Sequence, residues 1–152
     1  MRPNRSMPGC TVLPELVYAD VGAAADWLCA VFGFTERWRA GSHRVQLAVG
    51  DGAVALTEQR SGQGFAAPDA ADFRPPREGE VTHGVLVRVE DAHAHHERAR
   101  RHGALILQPP ADHPYGERQY TAEDPGGHRW TFSETIADVA PEDWGGTPGP
   151  AA

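Results

Sequence analysis

The second half of this chain repeats the first. An aspartate opens a helix-like stretch at Asp20 and again at Asp91, 71 positions later. A glycine closes each stretch, Gly33 and Gly103 lying 70 positions apart, and the last strand of each half ends at Glu58 and Glu134, 76 positions apart. Self-similarity at a near-constant offset of 70 to 76 means that one supersecondary unit occurs twice, so each copy checks the reading of the other.

In the first copy "VLPELVYA" (12–19) reads as a strand, with Pro14 costing a ladder donor and arguing for an edge or strand-start position. Asp20 is the expected N-cap of "VGAAADWLCAVFGF", a helix with Ala24, Trp27, Leu28 and Val31 on one stripe. Three strands follow, "TERWRA", "HRVQLAV" and "AVALTEQ", the last two joined by the tight turn Gly50-Asp51-Gly52. The second copy gives "HGVLVRVE", then Asp91 and the helix "AHAHHERARRHG", then "ALILQP", "ERQYTAE" and "HRWTFSE". The expected organisation is a first module at 11–58, a linker or lid at 59–80 carrying Phe65 and Phe73, a second module at 81–135, and a tail at 136–152 with one aromatic, Trp144, able to dock it.

The fold class that follows is α+β: two tandem βαβββ modules, each with its helix on one face of a curved, mostly antiparallel sheet. The opposite faces are then expected to line a shared cavity. In "EDPGGHRWTFSET", Trp130 and Phe132 alternate with Arg129, Thr131 and Ser133, so the aromatics belong on the helix side and the polar set in the hollow. By the same alternation Arg44 and Gln46 face it from the first module, and Arg88, Gln119, Thr121 and Thr131 from the second, with Tyr115 and Trp38 at its mouth. A few hydrogen-bonding groups among aromatic and small residues suit a small organic ligand held flat and fixed at its polar ends. Arg88 demands a partner, either Glu15 or an anionic ligand, because an inward guanidinium left unpaired is costly.

Composition removes several alternatives. A formal charge of −7 and a pI near 5.5 leave no basic footprint for nucleic acid or an anionic membrane. No apolar run approaches the ~18 residues of a membrane span, and "MRPNRSMPGC" lacks the apolar core of a signal peptide, so a cytoplasmic protein is expected. Cys10 and Cys29 make no disulfide framework, and Cys29 is not read as a nucleophile. Among His93, His95, His96 and His102 only His93 and His96 share a helix face, so the group reads as helix surface with some imidazoles packed in place of apolar residues. Glu134 with Asp138, and Asp69 with Asp72, read as solvated charges. There is no Ser-His-Asp signature, phosphate loop or nucleophile elbow.

The duplicated module, with "YADVGAAADWLCAVFGF", "GDGAVALTE" and "YGERQYTAEDPGGHRWTFSE", resembles the vicinal oxygen chelate superfamily over residues 11–135. That superfamily includes glyoxalase I, bleomycin-resistance and fosfomycin-resistance proteins and extradiol dioxygenases. The run from "YGERQY" to "DPGGHRW" is most similar to its glyoxalase-like branch named after the PhnB protein. Metal-using relatives draw one ligand from the first and one from the last strand of each module, and those positions match Leu13, Ala55, Gly84 and Thr131. None suits a divalent cation, and a slip to His83 or Glu15 would supply only part of a set. The resemblance also implies a homodimer. The expected function is therefore that of a metal-independent, cofactor-free protein that captures an aromatic or peptide-like compound, as bleomycin-resistance relatives sequester antibiotics. The alternative is a metal-dependent glyoxalase-type lyase, isomerase or dioxygenase. A third is a vestigial pocket on a chain that serves to pair with another.

Overall fold

The computed structural model describes residue 2, residues 4–59 and residues 73–150. Phe65, Asp69 and Asp72 lie outside the described residues. The order of elements is β1 (Glu15–Tyr18), α1 (Val21–Phe32), β2 (Thr35–Ala40), β3 (Arg44–Val49), β4 (Gly52–Glu58), β5 (Gly84–Arg88), α2 (Ala92–Arg101), β6 (Leu105–Asp112), β7 (Glu117–Glu123) and β8 (Arg129–Thr135), followed by a 3₁₀ turn at Pro141–Trp144. The two sheets run β1-β4-β3-β2 and β5-β8-β7-β6. In each, the first and last strands of the module pair parallel and the other two ladders are antiparallel. This is the α+β arrangement of two tandem βαβββ modules that the repeat predicted.

The chain forms two compact units, Met1–Thr82 with Asp124–His128, and His83–Glu123 with Arg129–Ala152. In the first, the pleat turns Leu16, Val45, Leu47, Val54 and Leu56 to one side of the sheet, each no more than 2% exposed, and α1 packs on the same sheet. Asp20 caps that helix by accepting from Ala23 N at 2.9 Å, and Gly33 ends it at φ 77°, where a Cβ would be strained. The buried stripe is Val21, Ala24, Ala25, Leu28, Val31 and Phe32. Trp27, expected on it, stands half-buried at its flank, edge-on to Phe32 at 5.0 Å. The first strand is also shorter than "VLPELVYA": Pro14 stays outside the ladder, although its carbonyl accepts from Ala55 N at 2.9 Å.

In the second unit α2 covers Tyr120, Ala122, Trp130 and Phe132, all fully buried. Asp91 accepts from Ala94 N at 2.8 Å, as its position predicted. Glu134 adds a second N-terminal acceptor, taking Ala92 N at 2.9 Å, so its reading as a solvated charge is corrected. Strand β6 runs past the expected end at "ALILQP" to Asp112, because the register shifts around Pro109 and Pro110 let an edge strand absorb two residues without ladder donors. No described helix is long and apolar enough to cross a membrane.

Candidate functional site

Each sheet has a face turned away from its helix, and the polar residues predicted for a ligand surface stand on those faces. On the second sheet, cross-strand pairing sets Glu117 opposite Thr135, Gln119 opposite Ser133 and Thr121 opposite Thr131, while Arg88 on β5 is level with Ser133. Residues opposite one another share a face, so β5, β8 and β7 present Arg88, Ser133, Thr135, Glu117, Gln119, Thr121 and Thr131 together.

Arg88, Thr135, Glu117, Ser133 and Gln119, with Tyr115, are bonded into one network. Ser133 Oγ donates to Glu117 Oε2 and Thr135 Oγ1 to Glu117 Oε1, both at 2.6 Å. Gln119 Nε2 donates to Ser133 Oγ at 3.0 Å, and Tyr115 Oη donates to Gln119 Oε1 at 3.0 Å. Arg88 donates to Thr135 Oγ1 at 2.9 Å. Within its own unit Arg88 thus has Thr135 as partner. The Thr121 and Thr131 hydroxyls lie 3.4 Å apart. The hydroxyls of Ser133 and then Thr135 hold the Glu117 carboxyl below its usual range, so it is an anion at neutral pH. Tyr115 stacks on His113 at 5.0 Å and meets Trp144 edge-on at 5.6 Å. Trp144 thus docks the tail beside the network. Leu86 and Leu105, both 57% exposed, leave apolar ground on the same sheet.

On the first sheet the expected residues take different partners. Arg44 pairs with Glu15, and Gln46, 1% exposed, accepts from Arg37. Trp38 lies opposite Gln46, and a bulge between Glu36 and Trp38 lets Arg37 and Trp38, neighbours in sequence, both serve this face. Trp38 Nε1 donates to Ser6 O at 3.0 Å and Arg37 to Met7 O at 3.4 Å, so the N-terminal leader lies against the same edge.

The positions matched to metal ligands carry no imidazole or carboxylate. Ala55 offers a methyl and Gly84 no side chain, the Thr131 hydroxyl is turned to Thr121, and Leu13 precedes β1. Among the described residues no group of three or more His, Cys, Asp or Glu side chains could hold a metal ion. Both cysteines are free thiols. Burial raises the Cys29 thiol above its ordinary value, the reverse of what a nucleophile needs.

The first unit contains a second buried polar cluster that alternation could not reveal. Tyr18 Oη donates to Asp124 Oδ2 at 2.6 Å, while Asp124 Oδ1 accepts Gly126 N at 2.9 Å and His128 N at 3.1 Å. His128 Nε2 donates to Val17 O at 2.7 Å. The signal lay in "DPGGH", where an aspartate before Pro-Gly-Gly favours a side-chain-capped turn.

Residues 11–132 match the model of the Glyoxalase/Bleomycin resistance protein/Dioxygenase superfamily. The chain belongs to that superfamily. Among solved structures, TioX from Micromonospora sp. ML1 is 33% identical over 84% of this chain and 100% of its own, with a TM-score of 0.68. A superfamily protein from Nocardioides is 22% identical over 100% of this chain and 91% of its own, with a TM-score of 0.62. Lactoylglutathione lyase from Agrobacterium tumefaciens is 19% identical over 84% and 94%, also at 0.62. The last two likenesses concern the fold alone. No curated protein matches the sequence.

Proposed function

We propose that this superfamily member is a metal-independent small-molecule binding protein that captures an aromatic or peptide-like compound against the polar sheet faces, in the manner of the bleomycin-resistance branch. The observation that carries this reading is the network anchored on Glu117. Its side chains are fixed in one arrangement before any ligand arrives, so little ordering entropy remains to be lost on binding. Exposed Leu86 and Leu105 beside it offer apolar surface, whose burial is worth about 25 cal/mol per Å². Leu13, Ala55, Gly84 and Thr131 offer a divalent cation no imidazole or carboxylate, and no catalytic step is built on one. The candidate ligand residues are Arg88, Tyr115, Gln119, Thr121 and Thr131 in the second unit, and Trp38, Arg44 and Gln46 in the first. The runs "YGERQY" and "DPGGHRW" support membership of the PhnB-like, glyoxalase-like branch, a likeness that bears on the fold rather than on the activity. The superfamily resemblance supports a homodimer, and exposed Leu107, distinct from the two leucines assigned to the ligand, offers it an apolar contact.

A thermal-shift screen of planar aromatic compounds and peptide antibiotics, on protein purified without an affinity tag, tests this. Binding partners should raise Tm in the presence of EDTA, and Arg88→Ala or Gln119→Ala should weaken them by about tenfold, the scale of one lost charged or buried hydrogen bond. One tightly held metal per chain, whose removal abolishes ligand binding or a turnover activity, would reverse the assignment in favour of a lyase or dioxygenase.

A further inference from the structure

Resting on the reading of the second sheet's open face as a ligand site, the hydrogen-bond network also defines which group that ligand must present. A carboxylate can only accept. Both Glu117 oxygens stand 2.6 Å from hydroxyls, so the protons of Ser133 and Thr135 are committed to them. With its proton spent, Ser133 can only accept from Gln119, which turns the amide nitrogen toward Ser133 and the amide oxygen toward Tyr115. That oxygen cannot donate, so the Tyr115 proton points at Gln119. Arg88, which has no acceptor, donates to Thr135. Every proton runs toward Glu117. Tyr115 is left with lone pairs only, while Gln119 keeps a second N–H and Arg88 its remaining N–H groups.

We propose that the ligand is recognised through an amide: its N–H on Tyr115 Oη, its carbonyl on the N–H groups of Gln119 and Arg88. Glu117 sets this preference without touching the ligand, and is a positioning residue. An ester of the same shape has the carbonyl but no proton for Tyr115, and a half-buried phenol oxygen that the ligand covers without supplying a donor discriminates against it.

The matched probes N-methylbenzamide and methyl benzoate, titrated against ¹⁵N-labelled protein, test this. In the wild-type protein the amide should bind about tenfold more tightly than the ester, with shifts centred on the Gln119 side-chain amide. Glu117→Gln keeps the shape of the side chain but can donate. Ser133 can then turn its proton to Gln119, the Gln119 amide turns over, and the Tyr115 proton is released outward, so the amide preference should fall to about unity or reverse. Tyr115→Phe should likewise abolish the preference while leaving Glu117 in place, which keeps the test decisive should Glu117→Gln fail to fold. Equal binding of both probes at this face in the wild type, or a tenfold preference that survives in folded Glu117→Gln, overturns the amide assignment and leaves the binding site standing. Shifts of neither probe at Tyr115 or Gln119 remove the site itself, and the proposal with it.

Discussion

Gly126 shows how much one hydrogen atom can decide. A Cβ there would stand 2.5 Å from the Tyr18 ring, closer than carbon atoms tolerate, and the ring cannot retreat because its hydroxyl is held by Asp124. Gly126→Ala should therefore destabilise the protein by about 2 kcal/mol, on the scale of overpacking a filled core, read as a fall in chemical-denaturation midpoint at unchanged m-value. Gly50, whose Cβ would meet nothing, should tolerate alanine better in space, although its φ of 57° carries a smaller backbone cost. At this scale the sequence was half legible. Strict alternation along "ERQYT" and "RWTFS" set Gln119, Thr121, Thr131 and Ser133 on one face, and a period of two leaves no other choice once Trp130 and Phe132 are buried. It did not single out Glu117, the anion that fixes the network, because a charged residue at a strand end reads as solvated until its cross-strand partners are known. The partner of Arg88 was open for the same reason: pairing of β5 with β8 brings Thr135 near, and nothing local in "VLVRV" says so.

At the scale of elements, α2 is the least conventional piece. Its inward stripe is Ala92, His95, His96 and Ala99, the spacing of an apolar helix face with two imidazoles in the middle. His95 lies 4.2 Å from the Phe132 ring and its Nδ1 meets the Tyr120 hydroxyl at 2.6 Å. His96 meets the edge of Tyr120 at 5.3 Å. The sequence reading, that some of these histidines pack where apolar side chains normally would, holds for this pair, whereas His93 and His102 are exposed. His95→Leu should cost about 1–3 kcal/mol by leaving the buried Tyr120 hydroxyl without that partner, and the double variant with Tyr120→Phe should recover most of the loss. The same hydroxyl makes the element alkali-sensitive. Burial raises the Tyr120 value above that of an exposed tyrosine, so the folded state keeps its proton while the unfolded chain releases it. Stability is then intact below about pH 10, the ordinary tyrosine value, and falls as pH rises beyond it. Denaturation at pH 9 and pH 11 should show that fall, reduced in folded Tyr120→Phe. Helix ends were the most readable features of all, since an aspartate before each helix and a glycine after it have local causes that tertiary structure had no need to override.

For the whole molecule the duplicated βαβββ order was legible because two imperfect copies constrain each other better than either constrains itself. Strand β6 was the exception, since a Pro-Pro pair normally ends a strand and only an exposed edge excuses it. Function was less legible, because members of one superfamily share a scaffold and differ in the side chains placed on it. Two outcomes test the assembly-level reading. EDTA, or added Zn²⁺ or Mn²⁺, should shift Tm by less than about 1 °C, since a cation bound to the folded state alone would raise it by mass action. Light scattering should return twice the 16.4 kDa chain mass, with Leu107→Glu shifting it toward one. The first unit is discontinuous, taking Asp124–His128 from between β7 and β8. Cutting the gene at residue 82 would therefore give an N-terminal fragment in which the Tyr18 hydroxyl and the Val17 carbonyl have lost Asp124 and His128. Repeated though the chain is, no single scission yields two self-sufficient halves, and attempts to express them apart, swap them or reverse their order must carry that five-residue turn along with the strand it serves.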